Sequence, residues 1–230
     1  TCDWSSDVCS SDLELFGHPL SSYTQKVLVA LYETGADFTL RTVDLSQPED
    51  RALMQSLEPM GRMPALRDGD RVLSQSSLMI EWLDRHHPGP QRLLDPDPDA
   101  SLVARQWDRF LDFQVMQMMQ QIVDARIFMG EGAEDRVAPF ARAKLELAYA
   151  ALDRRLDGRD WIAGGFGLAD CAAFPALFYA GAIHPFAGHS RLMAYFDRLA
   201  GRASVQRVIE GARPWYRWFP FAEGIPARFR

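Results

Sequence analysis

The stretch from residue 13 to residue 45 constrains the fold most, because its hydrophobic pattern changes twice. "LELFGHP" predicts a short strand, residues 21 to about 34 carry apolar side chains at helical spacing before Gly35, and "DFTLRTVDL" alternates as a strand does. A strand, a helix and a strand of this length form a βαβ unit, in which the strands are parallel and the crossover is right-handed. The chain therefore begins with an α/β domain.

The pattern continues this domain to about residue 86. A short helix is predicted around residues 49 to 57, "MPALRDGDRVLSQ" predicts two short strands around Asp68-Gly69, and "QSSLMIEWLDRHH" resumes helical spacing. The predicted order over residues 13–86 is β-α-β-α-β-β-α.

A proline-rich segment then separates two kinds of structure. "HPGPQRLLDPDPDA" has four prolines in fourteen residues and cannot continue a helix, so residues 87–98 are predicted to be a linker. Residues 99–230 are predicted to form an all-helical second domain, with helices at about 99–129, 135–157, 168–183, 189–200 and 204–213.

Charge and composition exclude several classes of partner. The formal net charge is -6 and 47% of the 230 residues are hydrophobic, which favours a folded protein without the clustered cations that nucleic acid or an anionic membrane would need. No apolar run is long enough to span a membrane and no signal peptide is evident, so we expect a cytoplasmic protein with a small ligand.

The first twelve residues differ in character from the rest of the chain. "TCDWSSDVCSSD" repeats Ser-Ser-Asp and has no periodicity continuous with the first strand. We interpret residues 1–12 as a non-native leader that resembles translated vector sequence, and we expect it to be dispensable. A genuine polar arm is the alternative.

Cysteine and histidine spacing argues against a metal site. Cys2, Cys9 and Cys171 form no C-x-x-C pair and no zinc-type cluster. His86 and His87 are adjacent and cannot face the same way on a helix. We expect no metal, and we expect Cys171 to be a buried core thiol.

Four hydroxyl side chains occupy the predicted first turn of the first helix, at Ser21, Ser22, Tyr23 and Thr24. A serine at this point can cap the helix. Alternatively, the free N–H groups and the positive end of the helix dipole favour an anion beside Ser21.

Two later motifs suggest a ligand that resembles a peptide. In "GRMPAL", a cis Met63-Pro64 bond, which we predict, would turn the backbone of Met63 outward to pair with such a ligand. In "SQSSLMIEWL", Gln75 and Ser76 open a helix and could hold an α-carboxylate and its ammonium group, or could simply cap that helix.

In this order the three motifs resemble the thioredoxin-like N-terminal domain of the glutathione transferases, a family that joins this domain to an all-helical one. The resemblance implies that Ser21 donates a hydrogen bond to the sulfur of glutathione and that Met63 pairs with the cysteinyl backbone. It implies likewise that Gln75 and Ser76 hold the γ-glutamyl end. It also implies a homodimer with glutathione as co-substrate and a small electrophile as substrate. The implied glutathione-binding residues are Ser21, Ser22, Met63, Pro64, Gln75 and Ser76.

The same motifs indicate a subclass. "SSYTQKV" is partly similar to the zeta class, whose motif runs Ser-Ser-Cys, but Tyr23 stands where that cysteine would be. This argues against maleylacetoacetate isomerase activity and favours a bacterial-type, serine-class transferase in which Ser21 is catalytic. The alternatives are a glutathione-dependent isomerase or dehalogenase, and a non-catalytic binding or regulatory protein.

The electrophile pocket is expected along the helix that contains "WDRFLDFQVMQMMQQ". Tyr23, Phe113, Met116 and Met119 are its predicted lining residues, while packing in the core or in a dimer is the alternative. The aromatic segment "RPWYRWFPF" either covers this cleft or seals the seam between the domains.

"WIAGGFGLADCAAFPAL" is similar to the family's capping-box stretch, with Gly167 at the position that Ser or Thr usually occupies and with Asp170 retained. A glycine cap is expected to cost only a few tenths of a kcal/mol relative to serine.

Overall fold

The structure is a computed structural model that describes residues 12–230. The expected leader therefore lies outside the described residues except for Asp12, whose carbonyl oxygen accepts a hydrogen bond from Gly69 N (3.3 Å). The first domain has the predicted order of strands and helices, β-α-β-α-β-β-α. They are β1 (Leu13–Gly17), α1 (Ser22–Thr34), β2 (Thr39–Thr42), α2 (Pro48–Leu57), β3 (Ala65–Asp68), β4 (Arg71–Leu73) and α3 (Ser76–His86).

The four strands form one mixed sheet in the order β2-β1-β3-β4. β1 pairs with β2 in parallel, which confirms the βαβ unit, and with β3 antiparallel. The predicted hairpin is present, but its turn lies at Gly69-Asp70 because Asp68 still pairs with Arg71 across the β3–β4 ladder. Gly69 has φ 55°, a left-handed conformation that glycine adopts without a steric penalty.

Helix α1 lies buried between this sheet and the second domain. Val27, Val29, Ala30 and Leu31 are all 0% exposed, so α1 packs on more than one side. Gly35 ends the helix in the left-handed conformation expected of a C-terminal glycine, with φ 69°.

The second domain is helical, as predicted. Its helices are α4 (Pro98–Phe110), α5 (Gln117–Ile127), α6 (Ala133–Arg155), α7 (Leu168–Ile183), α8 (Ser190–Ala200) and α9 (Ala203–Ala212). The predicted helix over residues 99–129 corresponds to α4 and α5 joined by a π-helical segment, Leu111–Met116, which the apolar spacing does not reveal. Short π-helical segments within longer helices frequently occur at functional sites.

Helix α7 is the centre of the second domain. Its mostly apolar sequence, "LADCAAFPALFYAGAI", is buried almost along its whole length, as expected of a helix surrounded by protein. Cys171 is 0% exposed, so its prediction as a core thiol is confirmed. Among the helices of residues 12–230, none is both long and apolar enough to cross a membrane.

The cap of α7 corrects one expectation. Asp170 Oδ2 accepts a hydrogen bond from Gly167 N (2.9 Å), as the capping box predicts. However, a Cβ atom at Gly167 would lie 2.4 Å from the carbonyl oxygen of Leu93. That oxygen already accepts from Leu168 N (2.8 Å). The glycine is therefore required by the close approach of the linker, and the small cost assigned to it from the sequence is wrong.

Gly167→Ser is accordingly expected to lower the free energy of unfolding by about 1–3 kcal/mol, the usual range for overpacking, although serine is the better cap in isolation. Chemical denaturation would measure the loss. Gly165→Ser is the matched control, since a Cβ there meets nothing within 4 Å. A Gly167→Ser protein as stable as the control would show that the linker moves aside without cost.

Candidate functional site

The three predicted motifs meet at one edge of the sheet. Phe16 pairs with Ala65 across β1 and β3, so the end of β1, which leads to Ser21, lies beside the Met63-Pro64 step that opens β3. Leu66 pairs with Leu73, which brings the end of β4, and hence the start of α3, to the same edge.

Ser21 is the N-cap of α1. Its Oγ accepts a hydrogen bond from Thr24 N (3.3 Å), and the residue is half-buried. The capping prediction is thus confirmed. The capping bond uses the oxygen as an acceptor, so the hydroxyl proton can still be donated to an anion outside the helix. The helix dipole and the first-turn N–H groups favour negative charge at that point.

The next two hydroxyls differ from Ser21 in access and chemistry. Ser22 is only 7% exposed. Tyr23 is half-buried, and burial together with nearby Asp112 raises the pKa of its hydroxyl, against the opposing effect of Arg62. Tyr23 therefore keeps its proton at neutral pH and can donate a hydrogen bond.

The Met63-Pro64 bond is cis, as predicted, with Pro64 buried and Met63 half-buried. A carboxylate that was not predicted from the sequence orders the preceding loop. Glu58 Oε2 accepts hydrogen bonds from Met60 N and Arg62 N, both at 2.8 Å. This leaves the loop before Met63 in a defined conformation.

Gln75 is the one non-glycine residue within residues 12–230 with positive φ (72°). Its side chain is exposed, whereas Ser76, the first residue of α3, is 6% exposed. Such strained backbone costs about 1–3 kcal/mol and is concentrated at ligand-binding sites. The strain falls on a residue predicted to bind the γ-glutamyl end, and no local sequence signal indicates it.

A buried ionic cluster lies directly behind the site. Lys26, on α1, is 0% exposed, and its Nζ lies 2.6 Å from Asp108 Oδ1 and 2.8 Å from Asp112 Oδ2. Ser77 Oγ accepts from Lys26 Nζ (3.0 Å) and donates to Asp108 Oδ2 (2.7 Å). We call Lys26, Ser77, Asp108 and Asp112 the Lys26 cluster.

This cluster joins α1 and α3, the two helices that begin at the site, to α4 and the π-helical segment. Burial and the charge of Asp108 raise the pKa of the Asp112 carboxyl, while Lys26 opposes that shift. The cluster was not predicted from the sequence. Its available signals were a lysine within the apolar run of α1 and aspartates four residues apart on the facing helix.

The predicted pocket residues separate into two groups. Phe113 is 49% exposed and lies in a groove of about 270 Å³ beside Trp107 and Phe110. Met116 and Met119 are 0% and 2% exposed. These two methionines pack in the core, so their prediction as pocket residues is wrong.

The aromatic C-terminal segment mainly seals the second domain. Tyr216 and Phe219 are buried and pack against Phe178 and Tyr179 of α7, with ring centroids 5.3 and 4.9 Å apart. Trp215 reaches further and lies edge-on to His18 at 4.6 Å, in the loop that leads to Ser21. These two contacts lie within the second domain, so neither covering the cleft nor sealing the seam between the domains describes Tyr216 and Phe219; Trp215 makes the aromatic contact that reaches the first domain.

Metal-ligating groups do not converge here. Among residues 12–230, no group of three or more His, Cys, Asp or Glu side chains has the geometry to hold a metal ion. His87 Nε2 instead lies 2.7 Å from Asp68 Oδ2, and the ring of His86 stacks on Trp82.

Known proteins are similar to this chain in sequence and in architecture. The family model "Glutathione S-transferase, N-terminal domain" matches residues 15–91, and "Glutathione S-transferase, C-terminal domain" matches residues 80–198. Glutathione S-transferase-like protein LUC7 of Fusarium sp is 31% identical over 168 residues, which are 67% of this chain and 71% of that protein. Glutathione S-transferase F10 of Arabidopsis thaliana is 26% identical over 83% of this chain and 93% of its own.

Two further similarities bear on function and fold. The stringent starvation protein A homolog of Haemophilus influenzae is 28% identical over 89% of this chain and 93% of its own. The glutathione transferase URE2P8 from Phanerochaete chrysosporium, solved with oxidized glutathione, superposes with a TM-score of 0.80 at 19% identity, covering 92% of this chain and 99% of its own. With family models matching both domains in this order, the chain belongs to the glutathione S-transferase family.

Proposed function

We propose that this protein is a serine-type glutathione transferase in which Ser21 stabilises the glutathione thiolate. The observation that carries the proposal is the half-buried Ser21 hydroxyl at the N-terminus of α1, whose oxygen accepts the capping bond from Thr24 N and whose proton can point outward. A hydrogen bond to a charged acceptor and the helix end together lower the pKa of a bound thiol.

The proposed reaction is nucleophilic attack by that thiolate on a small apolar electrophile. The thiol proton passes to solvent, the sulfur forms a bond to an electrophilic carbon, and the leaving group departs with its electron pair.

The proposed glutathione contacts come from three elements. Gln75 and Ser76 would hold the γ-glutamyl end, and the backbone of Met63 would hold the cysteinyl unit. Ser22 and Pro64 would complete the glutathione surface. Tyr23 and Phe113 remain the proposed contacts of the electrophile. We further propose a cytoplasmic homodimer, as the family resemblance implies.

Ser21→Ala is expected to raise the pKa of bound glutathione by about one to two units, because a hydrogen bond to a charged acceptor contributes roughly 1.5–3 kcal/mol and one unit is about 1.36 kcal/mol. Conjugation to a chlorodinitrobenzene near neutral pH should slow by roughly ten- to a hundredfold with little change in glutathione affinity. Thiolate absorbance, titrated against pH, measures the pKa directly.

Asp97→Ala is the control for the lost helix cap. Asp97 Oδ2 caps α4 by accepting from Ala100 N (2.9 Å), so this variant loses a cap and no proposed ligand contact. An unchanged thiolate titration curve in Ser21→Ala would refute the role of Ser21. A shift in Ser22→Ala or Tyr23→Phe instead would reassign it.

A regulatory, non-catalytic role is the second candidate, and the similarity to the stringent starvation protein A homolog over 211 residues supports it. The two candidates differ in glutathione binding. A transferase should be retained on glutathione-agarose and eluted by free glutathione, whereas a protein that kept only the fold should pass through.

A further inference from the structure

The loop at residues 18–20, between β1 and α1, makes a hydrogen bond to a side chain at each of its three positions. Nδ1 of His18 accepts from Leu20 N (3.1 Å). The carbonyl of Pro19 accepts from Gln25 Nε2 (2.8 Å), and the carbonyl of Leu20 accepts from the hydroxyl of Tyr179 (2.8 Å). This loop ends at Ser21.

Tyr179 belongs to α7, the central helix of the second domain, and is 1% exposed. Its hydroxyl donates to Leu20 O and accepts from Gln25 Nε2 (2.8 Å), so both of its hydrogen-bonding functions are used. Burial raises the pKa of this hydroxyl, so it stays a donor at neutral pH.

The bond to Leu20 O bears directly on the geometry of Ser21. Leu20 O and Ser21 N belong to the same peptide group, which is planar. Tyr179 fixes one side of that plane, and His18 O accepts from Ser21 N (2.9 Å) on the other. The direction of the Ser21 side chain depends on the orientation of this plane.

We propose that Tyr179 is a positioning residue for Ser21: a hydroxyl of the second domain holds the peptide that aims the serine at the thiol. The inference rests on the proposed function. It gives the second domain a part in glutathione activation that is separate from binding the electrophile.

Tyr179→Phe tests this role, because it removes the oxygen that bonds to Leu20 O and Gln25 Nε2 and leaves the ring against Phe219 and Phe178. We expect kcat with a chlorodinitrobenzene to fall by about three- to tenfold, since small misplacements of a reacting group are costly. The pKa of bound glutathione should rise by about 0.5–1 unit, and the KM for glutathione should change by less than about twofold.

Tyr149→Phe is the matched control. Tyr149 is 0% exposed and its hydroxyl also donates to a backbone carbonyl, that of His184 (3.1 Å), on the α6 side of the second domain. It should leave kcat and the thiol pKa unchanged. Gln25→Met removes the hydrogen bond that α1 donates to the carbonyl of Pro19 in the same loop. It should shift the pKa of the bound thiol in the same direction as Tyr179→Phe.

A double variant decides whether Tyr179 acts through Ser21. In the Ser21→Ala background, Tyr179→Phe should have no further effect on kcat or on the thiol pKa. An equal fall in both backgrounds, or an unchanged thiol pKa in Tyr179→Phe alone, overturns the positioning role. If Ser21→Ala itself leaves the thiol pKa unchanged, the proposed function fails first, so the two failures are distinguishable.

Discussion

Lys26→Met is expected to lower the free energy of unfolding by about 3–5 kcal/mol, the range measured when one partner of a buried ion pair is removed. Methionine keeps the unbranched shape of the lysine side chain but leaves the carboxylates of Asp108 and Asp112, which are 1% and 7% exposed, without their cation. Ser77 alone cannot neutralise either charge. Urea denaturation at neutral pH measures the loss.

Arg105→Met provides the control, since it removes a cation of α4 that pairs with a carboxylate of α3, two of the helices that the Lys26 cluster joins. Arg105 Nε lies 2.8 Å from Glu81 Oε1, but its side chain is 40% exposed. Partly exposed pairs of this kind usually contribute no more than about 1 kcal/mol. Equal losses in the two variants would show that burial is not the source of the Lys26 effect.

A combined variant separates the effect of the lost ion pair from the effect of burying charged groups. Lys26→Met combined with Asp108→Leu, Asp112→Leu and Ser77→Ala removes every polar member of the Lys26 cluster. Apolar replacement of a buried ionic cluster is often neutral or stabilising, so much of the lost stability should return. Continued loss in the combined variant would indicate that the cluster specifies the packing of α1 against α4.

The sequence predicted those parts of the fold that depend on local pattern. The strand, helix and strand of the first domain, the glycine that ends α1 and the hairpin before α3 each follow from periodicity or turn chemistry within a few residues. The motifs that open α1, β3 and α3 were found for the same reason, and the pairing of β1 with β3 then brings them together.

The features that the sequence did not reveal depend on contacts between distant residues. Lys26 and Asp112 are 86 positions apart, and Tyr179 and Leu20 are 159 positions apart. In the sequence alone, Lys26 and Asp112 therefore resemble solvated charges, and Tyr179 resembles an ordinary core aromatic. Met116 and Met119 were misplaced for a related reason: helical spacing shows that a face is apolar but not whether a cleft or another helix covers it. The positive φ of Gln75 is likewise set by its tertiary surroundings.

Asp170→Ala is expected to lower the free energy of unfolding about as much as Lys26→Met does. The reason is the opposite one, because it leaves buried hydrogen-bond donors without an acceptor, whereas Lys26→Met leaves buried anions without a cation. Asp170 is 0% exposed. Its Oδ1 accepts from Ile162 N (3.2 Å) and the hydroxyl of Tyr195 (2.6 Å), and its Oδ2 accepts from Gly167 N (2.9 Å). Burial raises the pKa of this carboxyl to about 6, so at neutral pH it is ionised and accepts all three bonds.

Each buried donor left without a partner costs about 1–3 kcal/mol, so alanine should remove roughly 3–5 kcal/mol after some relaxation. Asp170→Asn should lose about 1–3 kcal/mol, since its amide oxygen can serve the two donors at Oδ1 while its amino group would face Gly167 N. Asp170→Asn should therefore be more stable than Asp170→Ala when both are measured by denaturation. This order tests which oxygen serves which donor as well as how much the bonds contribute to stability.

Asp153→Ala is the comparison that isolates burial. Asp153 Oδ1 accepts from Arg191 N and Leu192 N (2.9 and 3.0 Å), a similar set of backbone donors, but its side chain is 15% exposed. Water can reach those donors when the carboxylate is gone, so this variant should lose distinctly less stability. If Asp170→Ala lowers the free energy of unfolding no more than Asp153→Ala does, water must reach the N-terminus of α7 in the variant. The close approach of Leu93 to Gly167 would then not be enough to keep water out.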